Sequence, residues 1–336
     1  MKTIFNKIYD YLKNNIKYII KDIIVIAIIL FVAFYKFPYL IYKPGGTIDL
    51  SSRINIENAK ENKGKYYMNY VSVSRGTLPA IISSYLVKNW DLVKEEEVTY
   101  DDMDYDTTFK IEVLQMKNSM DLSTLIAYQK AGKKIDITKR NMIILAIDKK
   151  AKTNLKLLDE IISIDGENYI DHNELRKYIN SKNIGDKVEF KLSNGSTRYA
   201  YVYENDNEKY IGISILNNYE YSTDPKIEIT SKASDAGSSG GFMMTLAIYD
   251  ELIDEDLTHG LNIMGTGTIE EDESIGEIGG VKYKMLGAEK YGADVFFVPE
   301  ANYKEAKKVY KENNLTFDLV MVKNVDEAID YLSNLK

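Results

Sequence analysis

A run of thirteen apolar residues, Ile23–Tyr35, is the feature that most constrains how this chain can fold. No polar residue interrupts the run, so a helix that packs on a core by one face only is disfavoured. If Lys36 and the second apolar piece, Phe37–Tyr42, are included, the run reaches the roughly 20 residues needed to cross a bilayer. Lys36 would then snorkel to the membrane interface beside the flanking tyrosines. The sequence therefore predicts one transmembrane helix over residues 23–42.

The charge around this run predicts its orientation. Residues 1–22 carry five lysines and two aspartates, and the whole chain has a net charge of −8. Lysines ahead of a span favour a cytoplasmic N-terminus, which would place the chain after about residue 43 outside the cytoplasm. A cleaved signal peptide is the rival interpretation, but no small-residue cleavage site follows the run. The expected location is the cell membrane, with a single pass and an extracytoplasmic body.

Composition excludes several kinds of site. The chain has no cysteine, which removes disulfides, thiol nucleophiles and thiolate metal sites. Its two histidines, His172 and His259, are far apart, so a Ser-His-Asp triad and a His-Glu-x-x-His zinc site are both disfavoured. No Walker A sequence occurs, and the acidic body argues against nucleic-acid binding.

Two short stretches carry candidate chemistry. A small-residue turn, Asp235–Gly241, runs into an apolar helical pattern formed by Phe242, Met243, Leu246, Tyr249 and Leu252. A serine in such a turn lies beside unpaired N–H groups of a helix start, which can stabilise a negative oxygen during acyl transfer. The second stretch, Gly279–Lys284, places a lysine at the start of another helical pattern. Taken alone, each also fits ordinary structure, because Gly/Ser clusters are mostly turns and helix lysines are mostly solvated.

Taken together, the two stretches resemble the proteolytic domain of Lon-type serine peptidases. The segment Gly237–Gly241 stands in the place of that family's Gly-Pro-Ser-Ala-Gly turn, which implies that Ser239, not Ser238, is the nucleophile. The family's Gly-Gly-x-Lys turn maps the general base to Lys282, 43 residues after the serine. Lys284 is the alternative base, but the position in the motif favours Lys282.

Further details of the resemblance concern the support of the serine. The segment Met264–Ile269 is similar to the family's Thr-Gly-x-Ile segment and places Thr266 in the threonine position. Thr266 would hold the lysine amine by a hydrogen bond, although an ordinary strand threonine fits about equally well. Backbone N–H groups around Gly237 to Ser239 would form the oxyanion site. Two residues depart from the family pattern, Ser238 in place of proline and Gly240 in place of alanine; both are small, so the turn should survive.

A separate unit is expected over residues 138–205. It contains a buried-strand pattern at Met142–Ile147, a helix around 173–181 and a hairpin turn at Ser193–Gly195. This succession resembles a PDZ domain of the type associated with bacterial proteases, except that Leu158 replaces a usual glycine. A PDZ domain binds an extended peptide as an added strand, here between the first strand and the helix. A purely bracing role is the alternative.

The resemblance covers nearly the whole chain and sets its expected organisation. The segment before the PDZ unit should contain helices over 77–98 and 116–131, and the Met-x-x-Ser pattern of the second recurs in membrane-anchored Lon-like peptidases of Gram-positive bacteria. The expected fold class is an α/β (α+β) Lon-type proteolytic domain with an inserted β-rich PDZ domain and one N-terminal transmembrane helix. In chain order, the expected parts are a cytoplasmic segment 1–22, the span 23–42, peptidase 43–137, PDZ 138–205 and peptidase 206–336.

The resemblance implies a membrane-anchored, ATP-independent serine endopeptidase. Ser239 would attack the peptide bond, and Lys282 would act as the neutral base of a Ser–Lys dyad. Neither a cofactor nor a metal is expected. The expected partners are an extracytoplasmic peptide or protein substrate and the membrane, and no nucleic acid. Because related Lon domains assemble as rings, a homo-oligomer is compatible with the resemblance. A membrane-tethered PDZ adaptor with an inactive peptidase domain is the alternative. A penicillin-binding enzyme is disfavoured, because its Ser-x-x-Lys match, Ser333–Lys336, lacks companion motifs.

Overall fold

The computed structural model describes residues 2–99, 103–168, 172–205 and 207–335. The α-helices in these residues are α1 Lys2–Phe34, α2 Leu78–Leu86, α3 Tyr105–Lys130, α4 His172–Ser181, α5 Gly241–Leu252, α6 Val281–Lys290, α7 Glu300–Asn313 and α8 Val325–Ser333. The strands are β1 Phe37–Asp49, β2 Ile54–Ile56, β3 Lys65–Gly76, β4 Asp91–Lys94, β5 Lys134–Ile147, β6 Glu160–Ile164, β7 Lys187–Leu192, β8 Thr197–Tyr201, β9 Tyr203–Asn205, β10 Glu208–Tyr210, β11 Ile213–Asp224, β12 Ile227–Ile229, β13 Asn262–Gly265, β14 Val295–Pro299 and β15 Asp318–Val322.

The body is built on a mixed six-stranded sheet with the order β15-β14-β13-β3-β1-β4. Strands β3, β13, β14 and β15 run parallel, while β1 pairs antiparallel with β3 and with β4. Successive side chains of a strand point to opposite faces, and both faces of this sheet are covered. Phe297 packs in a core with α3, α5 and α8, whereas its neighbour Phe296 packs in a second core with α6 and α7. The expected α/β layering is thereby confirmed.

The N-terminal region differs from the expected span. Helix α1 ends at Phe34, and the second apolar piece opens strand β1, in which Leu40 and Ile41 are buried at 1% and 0% exposure. A single helix over 23–42 is therefore wrong, because pairing with β3 and β4 satisfies the backbone of residues 39–42. Within the described ranges, none of the helices combines the length and apolarity required to cross a bilayer.

The helix expected over 77–98 is shorter than predicted. Helix α2 stops at Leu86, and after it Asp91–Lys94 forms the edge strand β4 while Glu95–Glu97 forms a single 3₁₀ turn. None of the nine residues of α2 is buried. The second expected helix is longer than predicted, because α3 begins at Tyr105 with Asp104 as its N-cap.

The inserted unit is an antiparallel five-stranded sheet with the order β11-β5-β6-β7-β8. Strands β5 and β11 form one long ribbon whose register runs from Lys134↔Asp224 to Ile147↔Ile213. The near part of this ribbon packs on the body, and its far part belongs to the core of the inserted unit, which also contains Ile211 and Ile215. The expected limit at residue 205 is therefore too early, because the returning strand β11 completes the inserted sheet.

Three local features of this unit have clear outcomes. The hairpin at Ser193–Gly195 joins the paired strands β7 and β8, with Gly195 at φ +82°. Leu158 has φ +66° and is 40% exposed, so its backbone adopts the left-handed conformation for which glycine is the favoured residue. The peptide groove expected beside Met142–Ile147 is wrong, because β5 pairs with β11 along that whole segment and β6 occupies its other side at Met142 and Ile143.

Candidate active site

The candidate nucleophile lies in the turn that opens the buried helix α5. Gly237 has φ +85°, and Gly240 is the N-cap of the helix. Helix α5 packs between the six-stranded sheet and α3 through apolar side chains, of which Phe242, Met243 and Ile248 are fully buried. Ser239 is partly exposed at the end of this helix, so its hydroxyl is accessible while its backbone is fixed.

Ser239 is in contact with a buried lysine. The Nζ atom of Lys284 lies 2.7 Å from the Oγ atom of Ser239 and 2.9 Å from the Oγ1 atom of Thr266. Lys284 is 3% exposed, and burial lowers its pKa from 10.5 to about 7. In the described part of the chain, no carboxylate lies within ion-pair distance of this amine to oppose that effect. A substantial fraction of Lys284 is therefore neutral near pH 7.

Thr266 orients the lone pair of the Lys284 amine. Its hydroxyl donates to the backbone carbonyl of Ser239 at 3.1 Å, and the N–H of Gly267 donates to the same carbonyl at 2.9 Å. Because the Thr266 proton is used in this way, its oxygen accepts an N–H from Lys284. A neutral lysine amine has one lone pair, which then remains for the Ser239 hydroxyl.

The structure does not bring Lys282 to the serine. Its Nζ atom lies 2.6 Å from Oδ2 of Asp91 in β4, and the hydroxyl of Tyr283 donates to the same oxygen at 2.7 Å. Two residues along an α-helix correspond to a rotation of about 200°, so Lys282 and Lys284 point in different directions. The prediction that Lys282 partners Ser239 is corrected: the alternative lysine, Lys284, occupies that position.

The amides of the turn are the donors available to a developing oxyanion. The N–H of Gly237 is unavailable, because it donates to the carbonyl of Glu112 at 2.8 Å. Among the described residues, the N–H groups of Ser238, Ser239 and Gly240 have no acceptor. The oxyanion donors expected at 237–239 are therefore shifted one residue towards α5.

Helix α3 supplies support that the sequence reasoning did not assign. The hydroxyl of Ser119 donates to the carbonyl of Ser238 at 3.0 Å, and the Oγ atom of Ser123 lies 2.8 Å from the carbonyl oxygen of Gly241 and 2.6 Å from that of Ser119. These contacts join α3 to both sides of the nucleophile. The Met-x-x-Ser pattern that contains Ser119 was the available signal for them.

The departure at Gly240 has a steric explanation. A Cβ atom at this position would lie 2.6 Å from the Sδ atom of Met68, so the β3 methionine fills the space that an alanine methyl would need. A Cβ at Gly241 would lie 2.2 Å from Oγ of Ser119, which requires glycine there. The turn is thus closely packed despite its small residues.

Within the described ranges, no cluster of three metal-ligating side chains occurs.

Comparisons with known proteins give the following matches. Residues 195–334 match the model of the Lon protease (S16) C-terminal proteolytic domain. The chain is 31% identical over 94 residues to a Lon protease of Clostridium acetobutylicum and 30% identical over 93 residues to one of Roseiflexus castenholzii. Each alignment covers 28% of this chain but only 12% and 11% of those proteins. The chain thus spans about an eighth of the length of the curated relatives it matches. These matches support a Lon-type proteolytic domain that contains Ser239, Thr266 and Lys284.

One solved structure is also similar. The PDZ domain of an SdrC-like protein from Listeria monocytogenes is 21% identical, and the match covers 24% of this chain and 92% of that domain with a TM-score of 0.21.

Proposed function

We propose that this protein is an ATP-independent serine endopeptidase that hydrolyses peptide bonds with Ser239 as nucleophile and Lys284 as general base. The observation that carries the proposal is the buried amine of Lys284 at 2.7 Å from the Ser239 hydroxyl. The match of residues 195–334 to the Lon proteolytic domain supports the same reaction class. The lysine takes the place of histidine as the base, because burial keeps it partly neutral at physiological pH.

The reaction follows from the contacts around the serine. The lone pair of neutral Lys284 accepts the Ser239 proton as Oγ attacks the scissile carbonyl carbon. Collapse of the tetrahedral intermediate breaks the C–N bond, and the lysine returns the proton to the leaving amine. The acyl group remains as an ester on Ser239. Lys284 then accepts a proton from water, the resulting hydroxide attacks the ester, and the proton returns to Oγ as the acid product leaves.

Charge stabilisation during these steps comes from the turn itself. The oxyanion formed in either tetrahedral intermediate would accept the N–H groups of Ser239 and Gly240, which are preorganised at the start of α5. The lysinium formed at the same time would be held by Thr266, whose hydroxyl oxygen is already within hydrogen-bonding distance. Both charges develop in positions where donors or acceptors exist before the reaction.

A covalent-labelling experiment tests this function. The purified protein would be incubated with a peptidyl diphenyl phosphonate, from which the serine oxygen displaces a phenoxide to form a stable P–O bond, and the adduct would be located by mass spectrometry. We expect an adduct on Ser239 that disappears in Ser239→Ala and persists in Ser238→Ala. Labelling of Ser238 instead, or cleavage that survives Ser239→Ala, would contradict the proposed nucleophile. A folded protein that neither cleaves nor labels would favour the adaptor function.

For the inserted unit, we propose that an extended peptide pairs with the free edge of β11 near Ile213–Leu216, not with β5. Strand β11 is at the edge of its sheet, and only β5 pairs with it in the described residues. Leu175 and Ile179 of α4 share a core cluster with Ile215, and α4 contacts β10, the strand that precedes β11 in the chain. An open cavity of about 660 Å³ near the same end is lined by Gly212, Ile213 and Ser214 among others.

Site-directed crosslinking tests this placement. A photoreactive benzoylphenylalanine at the exposed Ser214, in a Ser239→Ala background, should crosslink to a long peptide substrate. The matched control places the same group at the exposed Thr197 on β8, the opposite edge strand of this sheet. Crosslinking at Thr197 but not at Ser214 would contradict the proposed edge, and none at either position would favour the bracing role.

We also propose that the apolar half of α1 binds a cell membrane, with the body on the extracytoplasmic side. Consecutive residues Ile23, Ile24, Val25 and Ile26 are 45–59% exposed, so apolar side chains surround the helix on every face. Such an arrangement is unfavourable in water and favourable in lipid. Protease added to intact cell-wall-stripped cells should digest the body; a body that is digested only after the cells are lysed would contradict the extracytoplasmic side.

A further inference from the structure

Helix α2 presents an apolar surface that is left exposed by the described part of the body. Ile82, Tyr85, Leu86 and Val87 are 52%, 77%, 80% and 42% exposed, and none of the nine residues of α2 is buried. Ile82, Tyr85 and Leu86 stand at positions i, i+3 and i+4 and therefore share one face of the helix, which together with Val87 we call the α2 surface. Exposed apolar patches of this kind mark interaction sites.

The position of α2 indicates what covers this surface. Helix α2 contacts helix α1 as well as strands β1, β3 and β4 next to it. It therefore lies where α1 joins the body. The apolar residues of α1 are exposed on all faces, which a single partner protein or a second copy would cover only on one side. A bilayer surrounds a helix, and the α2 surface continues that same apolar region.

The residues at the rim of this region have the composition of a membrane interface. Tyr35 is 46% exposed at the end of α1, and Lys36 and Lys88 are exposed beside the two helices. The Nζ atom of Lys43 lies 4.8 Å from the ring centroid of Trp90, which is four residues after the end of α2. Aromatic rings and lysines at the border of an apolar surface are typical of segments at headgroup level. A nine-residue helix is about 14 Å long, which suits shallow burial and not crossing.

We infer that the α2 surface inserts into the outer leaflet of the membrane beside α1 and acts as a second contact that holds the body against the bilayer. The inference rests on the proposed membrane binding by α1 and is independent of the proposed peptidase reaction. Its consequence concerns the substrate. Asp91, one residue after Trp90, accepts hydrogen bonds from Lys282 and Tyr283, and Lys284 follows in the same helix. The active site is thereby fixed to the membrane contact, which favours polypeptide segments that adjoin the membrane.

The single tryptophan of the chain makes a direct test possible. In a Trp90→Phe background, Tyr85→Trp places the only tryptophan on the α2 surface. The matched control, Tyr291→Trp, places it at another exposed tyrosine, 52% exposed, at the end of α6. This end lies away from α2, because α6 starts beside Asp91 and Tyr42 while its later residue Gly287 packs over Gly45, further along β1.

The probe is a vesicle of phosphatidylcholine and phosphatidylglycerol whose acyl chains carry bromine, a quencher of tryptophan fluorescence. For full-length protein bound to these vesicles, Tyr85→Trp should shift its emission to shorter wavelength and lose about half of its intensity relative to unbrominated vesicles, as expected for a ring at the acyl boundary. Tyr291→Trp should show neither effect. Flotation of the vesicles measures binding through α1 separately, and cleavage of a soluble peptide checks that both variants are folded.

Three outcomes would overturn the inference. If the protein floats but Tyr85→Trp is quenched no more than Tyr291→Trp, the α2 surface does not insert, while α1 binding stands. If Tyr85→Trp emits at shorter wavelength without vesicles and in proportion to protein concentration, a second copy covers the surface. If the protein does not float, membrane binding by α1 fails too, and the peptidase proposal is unaffected.

Discussion

Lys282 and Lys284 lie two residues apart in α6, yet the amine of the first lies 2.6 Å from a carboxylate oxygen and the amine of the second lies 2.7 Å from the Ser239 hydroxyl. The first is a partly exposed ion pair and the second is a buried base. The two side chains therefore provide matched variants within one helix. They separate loss of the base from general damage to α6.

Lys284→Ala should reduce kcat/KM for a fluorogenic peptide by at least about 10³-fold, because it removes the only base in contact with Ser239 among the described residues. Lys284→Arg should be equally inactive, since a guanidinium stays protonated near neutral pH. Lys282→Ala should keep most of the activity, because its partner Asp91 does not contact the serine. An inactive Lys282→Ala together with an active Lys284→Ala would restore the motif-based assignment.

The rate should depend on pH through Lys284. Its pKa is lowered by burial to about 7, and only the neutral amine can accept the serine proton. We expect kcat/KM to rise as pH increases through about 7 and then to level off. The measurement is a pH profile with a soluble peptide. A profile that rises only near the ordinary lysine pKa of 10.5 would contradict a buried base.

The same burial should make stability depend on pH. The folded pKa of Lys284 is about 7 and the ordinary value is 10.5, so between these limits the unfolded chain binds the additional proton. The free energy of unfolding should therefore rise with pH across this window. Urea unfolding of the wild type and of Lys284→Met at several pH values isolates this contribution. The difference between the two proteins should change with pH from 7 towards 10, and a constant difference would contradict the prediction.

Thr266→Val should lower kcat by roughly 10-fold with little change in KM, because it removes the group that orients the lysine lone pair. The control is Thr268→Val, since the Thr268 hydroxyl donates to Glu270 and does not touch the lysine. Steady-state kinetics on one peptide gives both parameters. Equal kinetics for the two variants would mean that Thr266 has no orienting role.

Leu158→Gly should raise the free energy of unfolding by about 1 kcal/mol, since it removes a side chain from a left-handed backbone conformation. Ile184→Gly is the control: Ile184 is also exposed in the inserted unit, at 57%, but its φ is not positive. That variant should be neutral or less stable. Thermal or urea unfolding measures both, and stabilisation by the control alone would contradict the explanation.

The sequence was sufficient to place the nucleophile turn and insufficient to choose the lysine. Glycines and serines ahead of an apolar helical pattern indicate a turn, and the resemblance to Lon-type peptidases then selected Ser239 within it. A motif counts residues along the chain, whereas the choice between Lys282 and Lys284 depends on the rotation of α6 about its axis. A usable signal was present: Lys284 lies three residues after Val281 and four before Ala288, and both of these are buried. A lysine within an apolar stripe is the candidate for a buried base.

The wrong helix predictions for residues 37–42 and 91–94 share one physical cause, which is strand pairing between distant parts of the chain. Residues 37–42 and 91–94 have the apolar or mixed character of helix ends, but they pair with each other in β1 and β4. Pairing partners more than 45 residues apart are not encoded in local periodicity. The α/β class of the body was predictable because the parallel strands after residue 290 are short, apolar and separated by amphipathic helices.

The ribbon formed by β5 and β11 has a practical consequence for protein engineering. The two strands leave and re-enter the body side by side, starting from the register pair Lys134↔Asp224. The inserted unit is therefore connected to the body in the same way as the tip of a β-hairpin. Cutting both strands at one pair, such as Arg140↔Tyr219, and joining them through an Asn-Gly turn would preserve the alternation of side chains. The inserted unit could therefore be exchanged at this position. A different antiparallel domain could be joined to the two strands while the body stays unchanged.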